Sequence, residues 1–230
     1  MGTNLKALAA ARAVELVSSG MILGLGTGTT ANHAIEMIGA RMREGSLRDI
    51  VGIPTSNASA RLAEASGIRL TTLVENPTID LTIDGADEIG PDLTLIKGQG
   101  GALLREKIVA CASKQEIIVA DFSKLVEQLG TLAPVAVEVI PFGWLTYVPA
   151  LRALQCDPIL RMRGSSPFVT DEGNYILDCR FSSIADPGRL EREIKQITGV
   201  VESGLFVSLT SLAIVASAAG IRELTPHPRG

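Results

Sequence analysis

Aromatic residues are scarce: Phe, Trp and Tyr make up 3% of the 230 residues. Proteins that bind single-stranded nucleic acid use rings on which bases stack, so that class fits poorly. Excess positive charge is missing too. The chain has 21 Lys and Arg against 25 Asp and Glu, a formal net charge of −4, so nothing supplies the basic face of a nucleic-acid binder. Histidine is limited to His33 and His227, and cysteine to Cys111, Cys156 and Cys179. The cysteines are widely spaced, form no C-x-x-C and join no histidine cluster, so neither a zinc site nor any other metal site is expected. An odd number of scattered thiols fits a reduced, cytoplasmic protein better than a disulfide framework. The N-terminal stretch "MGTNLKALAA" contains no long apolar run ending in a small-residue cleavage site, so no signal peptide is expected. One uncharged segment, Ser203 to Ile221, approaches the length of a membrane span. It holds four serines, a threonine and two glycines, and reads as two buried strands joined by an "SLTS" turn, with no membrane association.

What is present is aliphatic bulk. Hydrophobic residues make up 46% of the chain, enough for the core of one large domain or two small ones. Residues 4–18 carry apolar side chains at helical spacing, and Gly20 closes that helix. "MILGLG" (21–26), "DIVGIPTS" (49–56), "IRLTTL" (68–73), "IDLTID" (79–84), "LTLIKG" (93–98) and "EIIVAD" (116–121) read as strands. Helical runs follow the first two, and "ALLREKIVACAS" (102–113) follows the fifth. Such alternation predicts a parallel sheet covered on both faces, with ligands outside the carboxyl ends of the strands. The unusual stretches "GTGTT", "PTSN", "DGAD", "KGQGG" and "ADFSK" all fall at such ends.

Near residue 130 the pattern changes. "VAVEVI" (135–140) is a strand and "GWLTYVPALRAL" (143–154) a helix. "PILRMR" is a strand, "FVTDEG" and "NYILDCRF" form a hairpin turning at Glu172–Gly173, and "DPGRLEREIKQITG" is a helix with Asp186 as N-cap and Pro187 at its first position. "VVESGLF" closes a β-α-β-β-α-β order, that of a ferredoxin-like module. The expected fold class is therefore α/β. A Rossmann-like parallel sheet domain (1–130 plus 207–230) carries an inserted ferredoxin-like α+β lid domain (131–206).

Three motifs carry chemistry. "GLGTGTT" joins a strand to a helix, where glycines permit close backbone approach and free N–H groups attract an anion. Gly26, Gly28 and Ala31 satisfy G-x-G-x-x-[GA], but the second strand ends in "PTSN" rather than in an acid, which favours a phosphate over a dinucleotide. "DGAD" sets Asp84 and Asp87 on one turn, either as solvated acids or as a pair for proton transfer to sugar hydroxyls. An idle charge at the end of a buried run would be costly, which weighs against the first reading, but the motif alone leaves both open. "KGQGGALLREK" puts Lys97 at a strand end, glycines after it and Glu106 on the following helix. Because Arg105 and Lys107 flank Glu106, the motif taken in isolation reads better as a solvated charged helix face than as a catalytic glutamate. His33 reads as a helix-face residue and Cys111 as core.

In order and spacing, "GLGTGTTA", "DGADEI", "KGQGGALLREKI" and "ADFSK" resemble ribose-5-phosphate isomerases of type A, with weaker agreement through "VEVIPF", "FVTDEGNYILD" and "ITGVVESGLF". The resemblance implies interconversion of D-ribose 5-phosphate and D-ribulose 5-phosphate through a cis-enediolate, within the pentose phosphate pathway, with no metal or cofactor, by a homodimer. It implies that Glu106 is the base. It implies that Asp84, Asp87 and Lys97 handle ring opening and the sugar oxygens. It makes Thr27, Gly28, Thr29 and Thr30 one substrate loop, Gly98, Gln99 and Gly100 a second, with Gly85 and Ala86 beside them, and Lys124 and Lys6 phosphate contacts. Gln99 stands where relatives are expected to have glycine, and "SLTSLAIVA" lacks the acid-containing turn expected there. Other readings are an amino-sugar-phosphate deaminase, a CoA transferase using a glutamate, or a sugar-phosphate sensor without catalysis.

Overall fold

The computed structural model describes residues 4–226; His227 lies outside them. In chain order the elements are α1 (Leu5–Val14), β1 (Ile22–Leu25), α2 (Thr29–Arg43), β2 (Val51–Pro54), α3 (Asn57–Ala65), β3 (Arg69–Leu70), β4 (Leu81–Asp84), β5 (Glu88–Ile89), β6 (Leu95–Ile96), α4 (Leu103–Cys111) and β7 (Glu116–Asp121). After a 3-10 turn at Phe122–Lys124 come β8 (Val135–Val139), α5 (Val148–Ala153), β9 (Asp157–Leu160), β10 (Met162–Arg163), β11 (Ser166–Pro167), β12 (Tyr175–Arg180), α6 (Pro187–Lys195), β13 (Val200–Ser203), β14 (Leu205–Phe206), β15 (Leu212–Ser217) and β16 (Gly220–Leu224).

The chain forms two compact units. The first takes in the chain up to Ala86, Arg105–Lys124 and the chain from Leu209; the second is Asp87–Leu104 with Leu125–Ser208. This division differs from the expected bounds, since residues 87–104, 125–130 and 207–208 fall in the second unit.

The first unit is built on a seven-stranded sheet in the order β16-β15-β7-β4-β1-β2-β3. All neighbours pair in parallel except β16, which closes the edge antiparallel to β15. The chain first winds outward from β1 through β2 to β3, then restarts on the other side of β1 with β4. Ligand crevices form at such a reversal. Helix α1 starts at Asn4, whose side chain accepts the Ala7 N–H at 3.2 Å. Its small Ala9, Ala10 and Ala13 are fully buried, which lets α1 lie close against α2, β7 and β15. Leu23, Leu25, Ile35, Ile38, Leu81, Ile83 and Val119 fill this core. Each such side chain removed from water contributes about 1.5–3 kcal/mol before entropy costs.

The second unit contains an antiparallel sheet in the order β13-β8-β12-β9, with α5 and α6 as its helices. This is the expected ferredoxin-like arrangement. Val135, Val137, Leu151, Leu177, Leu190 and Ile194 form its core. Asp186 caps α6 by accepting the Arg189 N–H at 2.9 Å, and Pro187 opens the helix, as expected.

Four local expectations need correction. "LTLIKG" does not join the parallel sheet: β6 pairs antiparallel with β5 and β14 in a separate three-stranded sheet. Residues 85–94, which link β4 to β6, are too few for the helical crossover a parallel neighbour would need. The helix expected over 143–154 is a 3-10 turn at Trp144–Thr146 followed by the shorter α5, because Pro149 has no N–H to continue the ladder. The turn at Glu172–Gly173 exists, with Gly173 N–H on Thr170 O at 3.0 Å, but β12 takes its partners from β8 and β9, and the short hairpin is β10–β11. Cys111 is exposed, because it is the last residue of α4 rather than part of its apolar face. Ser203–Ile221 contains strands, and no described helix is long and apolar enough to cross a membrane.

Candidate active site

In the first unit, the loops after β1 and β4 meet at the strand-order reversal. Asp84 is fully buried at the end of β4, and its Oδ1 accepts the Thr27 N–H at 3.0 Å and the Gly85 N–H at 2.7 Å. Gly26 makes this approach possible: a Cβ there would lie 2.4 Å from Asp84 Oδ1. The end of β2 joins the same cluster. Thr27 Oγ1 lies 2.7 Å from Thr55 Oγ1 and donates to Ser56 Oγ at 2.8 Å. Ser56 is also the N-cap of α3, in a reciprocal capping box with Ser59. Thr55 and Ser56, from the "PTSN" stretch at the end of β2, thus join the hydrogen-bond cluster around Thr27, though no binding role was expected of either.

Helix α2 starts directly after this loop. Its N-cap, Gly28, has φ 109° and no side chain with which to cap the first N–H groups. Lys6 Nζ donates to Thr29 Oγ1 at 2.8 Å, so an ammonium stands at the positive end of the helix dipole. That arrangement suits an anion. Nearby, burial works against ionisation of Asp121, but hydrogen bonds from Ser123 and the charges of Lys124 and Lys6 hold its carboxyl below the ordinary range. Lys6, Thr29 and Lys124 thus share one electropositive neighbourhood with Asp121. His33 sits farther along α2, within 3.3 Å of the Asn4 amide, as a helix-face residue.

Glu106 lies in the first turn of α4, where a carboxylate is favoured by the dipole. It is 5% exposed, so it is not part of a solvated charged face despite its neighbours Arg105 and Lys107. Arg105 Nη1 donates to Asn57 Oδ1 at 3.0 Å and ties the start of α4 to the start of α3.

The second unit holds the other motif residues. The Asp87 N–H donates to Ile96 O at 2.9 Å, and Asp87 Oδ2 accepts the Gln99 N–H at 3.0 Å. Lys97 is 3% exposed; its N–H donates to Gly204 O at 2.8 Å, and its Nζ lies 5.5 Å from the centre of the Phe206 ring. Gly98 has φ 110°, and a Cβ there would come within 2.8 Å of Ala136 Cβ. The next residue along "DGADEI", Glu88, is fully buried and accepts the N–H groups of Gly130, Leu132 and Ala133 at 2.5–2.7 Å, fixing the approach to β8.

The first unit therefore brings together Lys6, Thr27, Thr29 and Asp84, and the second brings together Asp87, Lys97, Gly98 and Gln99. Among the described residues no group of three or more His, Cys, Asp or Glu is placed to hold a metal ion.

The profile of the family described as ribose 5-phosphate isomerase A (phosphoriboisomerase A) matches residues 51–220. The ribose-5-phosphate isomerase A of Gloeobacter violaceus is 57% identical over 223 residues, 96% of each chain. A D-ribose-5-phosphate isomerase solved in complex with phospho-erythronic acid superposes with a TM-score of 0.95 at 37% identity, covering 98% of this chain and 100% of that one. The ribose 5-phosphate isomerase A of Methanocaldococcus jannaschii gives a TM-score of 0.92 at 40% identity, covering 96% and 98%. With a profile spanning most of its length and relatives alike from end to end, the chain belongs to the ribose 5-phosphate isomerase A family.

Proposed function

We propose that this chain interconverts D-ribose 5-phosphate and D-ribulose 5-phosphate, with Glu106 moving one proton between C2 and C1 of a cis-enediolate. The carrying observation is the burial of Glu106 on the first turn of α4, in a chain of this family. A carboxylate held beside C1 and C2 can take the C2 proton and deliver a proton to C1 from the same face of the enediolate. Lys97 and the backbone of Gly98, Gln99 and Gly100 stabilise the oxyanion that develops as the carbonyl becomes an enediolate. Asp84 and Asp87, with Gly85 and Ala86 between them, handle the hydroxyl protons during ring opening and isomerisation.

Thr27, Gly28, Thr29 and Thr30, with Lys6 and Lys124, bind the phosphate. The Lys6 ammonium at the start of α2, with Lys6 and Lys124 both acting on Asp121, supports this assignment, because an anion there offsets positive charge added to the helix dipole. Binding energy from the phosphate then orients C1 and C2. The three free cysteines suit a reducing cytoplasm, and exposed Phe142 and Leu145 offer apolar surface to a second copy in a homodimer. No observation favours a deaminase, a CoA transferase or a sensor.

Glu106→Gln tests the reading. The variant is expected to fold and bind the sugar phosphate, but to lose about 10²–10⁴-fold or more in turnover. Exchange of the C2 hydrogen with solvent deuterium, followed by NMR, should fall with it. Wild-type exchange in Glu106→Gln together with its loss in Asp84→Asn or Asp87→Asn would move the base to an aspartate.

A further inference from the structure

Between β9 and β10 stands Arg161, whose side chain is 12% exposed. Its backbone is pinned on both sides: its N–H donates to Ile176 O at 2.8 Å, and its carbonyl accepts the Phe168 N–H at 2.9 Å. The guanidinium is bound in a fork by Asp178, Nε to Oδ2 at 2.9 Å and Nη2 to Oδ1 at 2.5 Å. Its remaining nitrogen, Nη1, donates to Gly98 O at 2.7 Å and to Gln99 O at 3.1 Å.

These contacts act on the loop that follows Lys97. The peptide joining Gly98 to Gln99 is held at both ends. Its carbonyl accepts from Arg161, and its N–H donates to Asp87 Oδ2 at 3.0 Å. Gly98 O also accepts the Gly101 N–H at 3.0 Å, which closes the turn. Two successive carbonyls on one nitrogen exclude an extended chain, in which carbonyls point alternately to opposite sides. Phe168 backs the arrangement, with its ring centre 5.8 Å from the guanidinium carbon of Arg161 and 5.0 Å from that of Arg163. Gly101 fits against this ring so closely that a Cβ would lie 2.4 Å from Phe168 Cζ.

We infer that Arg161, oriented by Asp178, is a positioning residue for isomerisation: it sets the peptide planes of the Lys97–Gly101 loop. The inference rests on the isomerase reading above and deepens it. Asp178 neutralises the guanidinium charge, so Arg161 works as a rigid fork of donors rather than as a cation for substrate. Lysine cannot replace it, since one ammonium cannot bridge a carboxylate and two carbonyls in this planar geometry. Because the loop supplies oxyanion donors, its displacement weakens the transition state more than the Michaelis complex.

The experiment compares Arg161→Ala and Arg161→Lys with the wild type in steady-state isomerisation of ribose 5-phosphate, with thermal melting alongside. Loss of kcat on the order of 10²-fold is expected in both variants, with KM near the wild-type value, as follows from displacing a catalytic loop by about an ångström. Methylguanidinium at millimolar concentration should restore part of the kcat of Arg161→Ala, while methylammonium should not. Wild-type kcat in either variant, or a loss confined to KM, overturns the inference. If Arg161→Ala does not fold, Arg161→Lys decides by the same kcat and KM criterion. If wild-type protein fails to isomerise ribose 5-phosphate, the function reading fails instead, so the two failures are distinct.

Discussion

Thr27, in the loop after β1, and Asp84, the last residue of the adjacent strand β4, are joined by a hydrogen bond, Thr27 N–H to Asp84 Oδ1 at 3.0 Å. They are far apart in sequence and neighbours only because β4 pairs with β1. The same carboxylate oxygen also holds the N–H of Gly85, so one buried acid organises the loops that follow two strands.

Gly26→Ala tests how tight that junction is. The new methyl would fall 2.4 Å from Asp84 Oδ1 and 2.5 Å from Ile83 O, neither of which can swing away freely. A loss of about 1–3 kcal/mol in unfolding free energy is expected, as for overpacking in a core. Turnover should fall as Asp84 is displaced. Urea denaturation and an isomerase assay measure both, and wild-type values in both would show that the loops can separate without cost.

Lys124→Ala tests the phosphate assignment. Loss of one hydrogen bond to a charged group is worth about 1.5–3 kcal/mol, so KM should rise roughly tenfold to a hundredfold. Free ribose should be a poor substrate for the wild type, and the variant should lose much less on ribose than on ribose 5-phosphate. Equal efficiency of the wild type on the two sugars would reject the phosphate site.

Glu138→Gln makes a prediction about pH and stability. Glu138 is buried on β8, and its Oε1 accepts from Thr170 Oγ1 at 2.8 Å and from Asn174 Nδ2 at 2.9 Å. Burial pushes its carboxyl above the usual range against those two hydrogen bonds, and the charges of Glu172 and Glu202 push the same way as burial. The folded state therefore holds this proton at pH values where the unfolded chain has lost it. Its contribution to stability is full below the unfolded carboxyl's pKa and is lost as pH rises through the folded one. Glutamine can offer its carbonyl oxygen to the same two donors and carries no charge. The variant should match the wild type near pH 4 and exceed it at pH 7–8. Denaturation midpoints across that range decide; a variant less stable than wild type at pH 8 would refute the account.

Chelation is the remaining test. Activity is expected to survive EDTA, because the proposed proton transfer uses Glu106 and the proposed oxyanion donors are Lys97 and loop amides. Loss on chelation, with recovery on adding a divalent cation, would require oxygen ligands from the acids of the site.

The local sequence determined much of this protein. Alternating aliphatic runs and helical spacing specify β1, α2, β2, α3, β4, α4 and β7, because these patterns come from the repeat of each element alone. Asp186, Pro187 and the glycines near Lys97 mark their own places for the same reason: caps and turns are properties of a few adjacent residues. Motifs at strand ends drew notice to Asp84, Asp87 and Lys97, whereas Glu106, on α4, stood out only through the resemblance of the whole motif set to a family. What the sequence could not determine was pairing. That β4 lies beside β1, that β6 leaves the parallel sheet to join β14, and that Arg161 reaches the carbonyls of Gly98 and Gln99 all depend on contacts between distant residues. No periodicity encodes such contacts. They form because burial of aliphatic faces and satisfaction of backbone hydrogen bonds must be met for each whole unit at once, and only tertiary structure resolves that joint condition.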